Sequence, residues 1–273
     1  MTASRTAVPR FEEVTETTGT PVSAEGASMM YTRYHVAAEL ARGKRVLEVA
    51  CGSGQGLGMV GRAAAQLVGG DVSRPLLRAA RAHYGRRVPL ARLSAEGLPF
   101  AGATFDVILC FEASYYIPHM DETFREIARV LAAGGTALFV NANPERPDFI
   151  RSPYSVHYHT ADEFRVALES VGLMVTVEGA FPLEGGSRGV GSRLAGRTMF
   201  LARRALEALG LVPKTLRGRT RLKRIVYGRL REIPPEVSDG YDQLAPRVPI
   251  LPGPVAGYKV IYVTGRKGGG RGA

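Results

Sequence analysis

Apolar and polar positions fall in short blocks along this chain, and the period changes from block to block. Val46, Leu47 and Val49 make an apolar run over 45–50 of the length of a buried strand. Comparable runs lie at 67–71, 88–93, 105–111, 136–140 and 173–177, and 258–264 alternates with a period of two. Helical spacing separates them. Phe124, Ile127, Ala128 and Leu131 share one face of a helix over 121–132 that Gly134-Gly135 stops. Ser73 caps a helix running to Tyr84, with Pro75 in its first turn. Thr160-Ala-Asp-Glu163 is a capping box, and Gly172 ends the helix it opens. Further helices are expected over 31–40 and 55–64. Strands alternating with helices predict a mostly parallel sheet covered on both faces.

The sixth and seventh strands stand about 80 residues apart, too far for a simple connection in a compact domain. The expectation is a helical lid inserted there, over the carboxyl ends of the strands. The chain then divides into a mobile arm (1–30), a core (31–180), the insertion (181–256), a last core strand (257–265) and a disordered tail (266–273).

Charge sharpens the picture of the insertion. The net charge of +11 is concentrated in residues 188–231, which hold thirteen Arg or Lys against the single acid Glu207. The stretch Arg221 to Arg231 sets Leu222, Ile225, Val226 and Leu230 in one stripe among cations. Three readings stay open: a solvated outer face, a grip on an anionic acceptor, or peripheral contact with an anionic membrane. Few stacking aromatics accompany the cations, which argues against RNA as the partner. The two cysteines, Cys51 and Cys110, fall in or beside strands and read as buried thiols. They form no metal-ligand set, and the first residues have no apolar core. A cytoplasmic protein with no metal is the expectation.

The stretch Val46 to Gly58, VLEVACGSGQGLG, sets glycine at 52, 54, 56 and 58 after the first strand. A dinucleotide fingerprint needs glycine at 57, where this chain has Leu57, so that reading fails. An acid, Glu48, precedes the bend, and an acid suits a cationic ligand better than a pyrophosphate.

This stretch resembles motif I of the class I S-adenosylmethionine-dependent methyltransferases. Three further stretches recur in the family's order. Gly70-Asp71-Val72-Ser73 is similar to its second motif. Ser94-Ala95-Glu96-Gly-Leu-Pro-Phe100 is similar to the segment lining the adenine, with Ser94 where the family usually has Asp. Arg129-Val-Leu-Ala-Ala-Gly-Gly135 is similar to the turn before strand five, with Ala133 replacing proline. The likeness is closest to the small-molecule and quinone-methylating branch and covers about residues 30–180.

It implies a Rossmann-like, doubly wound seven-stranded α/β sheet whose last strand is antiparallel, and S-adenosylmethionine as cofactor. It also implies a cofactor site made of Tyr31, Arg33, Glu48, Ala50, Gly52, Ser53, Gly54, Asp71, Val72, Ser94, Ala95, Glu96, Phe111 and Glu112. The glycine loop would pack on the methionine part, Asp71 would accept the ribose hydroxyls, and the Ala95 amide would meet the adenine.

Methyl transfer from a sulfonium is an in-line displacement that asks mainly for alignment and exclusion of water. A base is needed only for an acceptor that loses a proton. His119 and Tyr116, which follow the fourth strand, are the first candidates to face the acceptor. His157, paired with His159 across an extended segment, is the second. The competing readings are helix capping for His119 and polar surface for His157. The function expected is methylation of a small acceptor, anionic or lipid-soluble. An RNA methyltransferase and a non-catalytic protein of the same fold are the alternatives.

Overall fold

The apolar runs become strands at the expected places. This computed structural model describes residues 11–13, 15–183 and 230–269. A short strand β1 (Pro21–Val22) leads into helix α1 (Ala24–Ala41), followed by β2 (Arg45–Val49), α2 (Leu57–Ala63) and β3 (Gln66–Asp71). Next come α3 (Arg74–Tyr84), β4 (Leu90–Arg92), β5 (Phe105–Phe111), α4 (Met120–Val130) and β6 (Leu131–Ala142). The chain continues through α5 (Ala161–Ser170), β7 (Leu173–Pro182), β8 (Arg231–Glu232), β9 (Arg247–Pro249) and β10 (Tyr258–Lys267).

The main sheet runs β4-β3-β2-β5-β6-β10-β7-β9. Neighbours from β4 to β6 pair in parallel, and β10 is antiparallel to both β6 and β7. The doubly wound α/β sheet with an antiparallel last strand is therefore present. It has eight strands among the described residues rather than seven, because β9 adds an antiparallel edge to β7. That strand is three residues long and has no apolar alternation to betray it.

Period two distributes the side chains to the two faces. Val46, Val107 and Leu109 pack with Tyr34, Ala37, Val60 and Tyr84 of α1 to α3. Leu47, Ile108 and Cys110 pack with Phe124, Ile127, Phe164 and Leu168 of α4 and α5. The two thiols are free and buried, as expected. The caps also behave as the sequence implies. Ser73 accepts from the Leu76 amide, and Thr160 and Glu163 make both bonds of the capping box.

Several boundaries differ. The arm was expected to run to residue 30, but α1 begins at Ala24, because the Ser23 side chain accepts from the Gly26 amide and caps it there. Ahead of it, Pro21–Val22 pairs with Arg231–Glu232, so the end of the arm is tied to the chain returning from the insertion. The last strand also runs further than expected, and residues 270–273 of the expected tail lie outside the described residues. Arg266 and Lys267 belong to β10, where the Lys267 ammonium donates to the Ala128 and Leu131 carbonyls at the end of α4. Helix α4 stops at Val130, short of the glycines, since Leu131 already pairs with Phe105.

The lid expected over 181–256, with its basic stretch, falls mostly on residues 184–229, outside the described residues. The described return, 230–256, forms β8, β9 and irregular chain rather than helix. It is anchored beside the glycine turn. The Glu236 carboxylate meets Arg62 at 2.5 Å, His83 at 3.0 Å and Arg87 at 3.7 Å, and the Val237 amide donates to the Gln55 carbonyl. Among the described residues, no helix is long and apolar enough to cross a membrane.

Candidate active site

β2 has β3 on one side and β5 on the other, so the chain winds away from this strand in both directions. The crevice beyond the carboxyl ends at such a switch is the general ligand site of open α/β sheets. Here the residues following the two central strands, Ala50 and Glu112, both have positive φ, 55° and 50°. Left-handed backbone without glycine costs roughly 1–3 kcal/mol at each residue and is typically retained where it serves a site. The two bends open a cavity of about 560 Å³ over the strand ends. A groove of about 610 Å³ between α4 and α5 has none of these strand ends in its wall.

One half of the cavity is built by β2, β3 and β4. Asp71, at the tip of β3, is held by two amides: Gly52 donates to Oδ2 at 2.8 Å and Ser73 to Oδ1 at 2.7 Å. Burial pushes its pKa up, while these amides pull it back. Gly52 itself has φ +58, which only glycine adopts without cost, and a Cβ there would meet Thr15 of the arm. Ala50, Val72, Ser94, Ala95 and Glu96 complete this wall. The Ser94 hydroxyl donates to Glu96 and accepts from the Glu96 amide. The other Glu96 oxygen accepts from the His119 amide at 3.0 Å.

The other half is built by α1, β5 and β6. Arg33 and Tyr34 reach it from α1, with Phe111, Glu112, Tyr115 and Tyr116 beyond β5. The Arg33 Nε is buried without a hydrogen-bond partner. Glu112 Oε2 accepts from the Tyr115 hydroxyl at 2.9 Å and from the Ala142 amide at 3.3 Å. Burial raises the Glu112 pKa, against the pull of Arg33 and Tyr115, with Glu16 of the arm pushing it further up.

Some expected site residues do not reach the wall. Glu48 lies beneath it, on the α1 face of β2, where Tyr34 donates to Oε1 at 3.0 Å. Its period-two position points it at the helix rather than at the strand end. Tyr31 turns the other way and accepts from the Gly240 amide, holding the returning chain. Ser53 and Gly54 face the turn itself: Ser53 accepts from Gln55, and Leu57 and Tyr84 close over Gly54.

The catalytic candidates divide in the same way. Tyr116 lines the cavity, its hydroxyl 2.5 Å from that of Ser152. His119 is exposed at the start of α4 and engages the site only through its backbone amide. His157 is exposed and ion-pairs with Glu163 at 3.2 Å. None of the five histidines is in the cavity wall.

The wall also includes residues that carried no signal in the sequence. Phe11, Thr15 and Glu16 come from the arm, and Gln55 ties them down by donating to the Glu16 carbonyl. Met29, Arg146, Ser152 and Lys259 also line the cavity. Polar segments without periodicity hide such residues, because their positions depend on tertiary contacts alone.

Residues 47–139 match the family described as a methyltransferase domain. They form a methyltransferase domain of the class I S-adenosylmethionine-dependent superfamily. A phthiotriol/phenolphthiotriol dimycocerosates methyltransferase of Mycobacterium ulcerans is 39% identical over 118 residues, 42% of this chain and 43% of that protein. A fatty-acid O-methyltransferase of Mycolicibacterium smegmatis is 36% identical over 116 residues, 41% of this chain and 42% of the relative. The chain thus spans less than half the length of these curated relatives in the matched region. In fold, it is similar to a SAM-dependent methyltransferase from Archaeoglobus fulgidus, with TM-score 0.56 at 11% identity, covering 89% of this chain and 96% of that one.

S-adenosylmethionine is the cofactor of this superfamily, and the residues present fit it. A guanidinium whose Nε has no hydrogen-bond partner and a carboxylate face one cavity, as suits an amino-acid zwitterion, and a second carboxylate stands where β3 ends.

Proposed function

We propose that this protein binds S-adenosylmethionine in the cavity over β2 and β5 and transfers its methyl group to a small, largely apolar acceptor. The observation that carries the reading is the buried Arg33 Nε, without a hydrogen-bond partner, in the same wall as Glu112 and Asp71. Arg33 would take the carboxylate of the methionine part and Glu112 its ammonium. Asp71, fixed by two amides, would take the ribose hydroxyls, and Ser94 with the Ala95 amide would meet the adenine. Bound there, the sulfonium supplies a methyl already activated for displacement. The protein's part is to orient the two reactants and keep water out, with Phe11, Thr15 and Glu16 of the arm in the cavity wall. The names of the relatives, which act on a fatty acid and on dimycocerosates, support an acceptor of lipid character.

Titration with S-adenosylhomocysteine tests this. Micromolar affinity is expected for the native protein. Asp71→Ala should lose about 1.5–3 kcal/mol of binding, tenfold or more in Kd, because a charge-assisted pair is removed. Native protein that takes up no S-adenosylhomocysteine would refute the proposal.

Glu112 gives the binding a pH dependence. Its pKa is raised in the free protein, and a ligand ammonium beside it would lower it again. Binding therefore releases a proton, and affinity rises with pH above the ordinary carboxylate range until Glu112 is ionised. In Glu112→Gln the same titration should be flatter and the affinity at high pH weaker. A native Kd that does not change with pH would remove Glu112 from this role.

A further inference from the structure

We infer that Gln55 is a positioning residue for the cofactor: its side chain straps the arm across the cavity and sets the rate at which the bound nucleoside leaves. This rests on the cofactor reading above and concerns the cover of the same cavity.

The first observation is the course of the arm. Phe11, Thr15 and Glu16 line the cavity. The Phe11 ring meets Tyr116, beyond β5, edge-on at 5.9 Å. Thr15 lies against Gly52, so that a Cβ on that glycine would stand 3.3 Å from the threonine methyl. Gly52 in turn donates to Asp71 at the tip of β3. The arm therefore spans from the wall beyond β5 to the turn after β2, across the space proposed for the cofactor. Glu16 brings a carboxylate to this span, and its charge raises the pKa of both Arg33 and Glu112.

The second observation is what holds the arm there. Gln55 is 5% exposed and lines the cavity itself. Its Nε2 donates to the Glu16 carbonyl at 3.1 Å and to the Ser53 hydroxyl at 2.6 Å. A carbonyl can only accept, so the side chain must offer its amide hydrogens to Glu16. Helix α2 has no side-chain cap, so this amide does not serve the helix. The Gln55 backbone carbonyl accepts from the Val237 amide at 2.7 Å. The returning chain is joined to the arm as well. The Gly19 amide donates to the Ile233 carbonyl, the Ile233 amide donates to the Thr20 carbonyl, and Pro21–Val22 pairs with β8. Arm and return thus form one ribbon, and Gln55 fastens both to the glycine turn. A cover that must open for release can set the pace of turnover.

The test is the dissociation rate of S-adenosylhomocysteine from the full-length protein, read by surface plasmon resonance, together with amide hydrogen exchange. Gln55→Glu keeps the shape and can still accept from Ser53, but sets a carboxylate oxygen against the Glu16 carbonyl. Gln55→Met keeps the length and loses both side-chain bonds. In each, release should be about fivefold or more faster, the worth of one buried hydrogen bond, with association not slowed. Exchange should rise together in 15–22 and 231–237 while β2 and β3 stay protected. Release at the native rate, slower association, or exchange rising through β2 and β3 would overturn the inference. The last two outcomes mark a damaged site rather than an unfastened arm. In the native protein alone, S-adenosylhomocysteine should slow exchange in both stretches at once. Protection of one without the other, or of neither, would overturn the inference with no variant needed. Native binding is read first, so each of these results leaves the cofactor reading standing.

Discussion

Replacing Gly56 by alanine is expected to cost about 3 kcal/mol or more of folding stability, although the residue touches no ligand in this account. A Cβ at position 56 would fall inside the ring of Tyr34. That ring cannot step aside. It is 4% exposed, its hydroxyl is bonded to Glu48, and it packs edge-on against Phe111 with centroids 5.4 Å apart. Moving it would break a buried hydrogen bond and open the interface between α1 and the sheet. Urea unfolding followed by circular dichroism reads the loss directly. Gly52→Ala should behave differently: its neighbour is the movable Thr15, so its stability cost should be near the 1–2 kcal/mol of a left-handed alanine, with the larger effect on cofactor binding. A Gly56→Ala protein as stable as the native one would contradict this division of labour.

The second large effect is a pH dependence of stability centred on Glu48. This carboxyl is 1% exposed, and burial raises its pKa to about 7, with the Tyr34 hydrogen bond and Arg33 opposing. The unfolded chain has the ordinary value near 4.5. Between these two values the folded state binds the proton and the unfolded state has lost it, so stability falls as pH rises. The contribution is complete below about pH 4.5 and gone above about pH 7. A shift of this size is worth roughly 3 kcal/mol. Glu48→Gln keeps the acceptor for Tyr34 and cannot ionise. The difference in unfolding free energy between native and variant should therefore change by that amount between pH 4.5 and 8. Parallel curves for the two proteins would show that Glu48 ionises as freely folded as unfolded.

These two residues also show how far the sequence is legible. The strands and most helix caps follow from apolar period and from Ser73 and Thr160, because local chemistry fixes them. The four alternate glycines suggest something close to the backbone, and that much holds. The sequence does not say what approaches. Tyr34 fills the space at Gly56, Glu236 that at Gly58, and Leu57 with Tyr84 that at Gly54, so Gly52 alone borders the cavity. Leu57 is local to the turn, whereas Tyr34, Glu236 and Tyr84 approach only through tertiary folding.

The same limit explains the catalytic candidates. His119 and His157 stand near the right strand ends in sequence, yet one caps a helix with its backbone and the other pairs with Glu163 at the surface. Arg146 and the arm residues Phe11 and Glu16 reach the cavity from segments without period or motif. Motif order leads to the half of the cavity built by β2, β3 and β4, while the rest of its wall is set by contacts between distant loops.

The proposed function requires that the cavity over β2 and β5 seat a sulfonium nucleoside. A crystal structure of the protein grown with S-adenosylhomocysteine tests it most directly. Ribose hydroxyls are expected on Asp71, adenine beside Ser94 and Ala95, and the amino-acid end between Arg33 and Glu112. Density for the ligand elsewhere, or bound here with its amino-acid end away from Arg33 and Glu112, would contradict it.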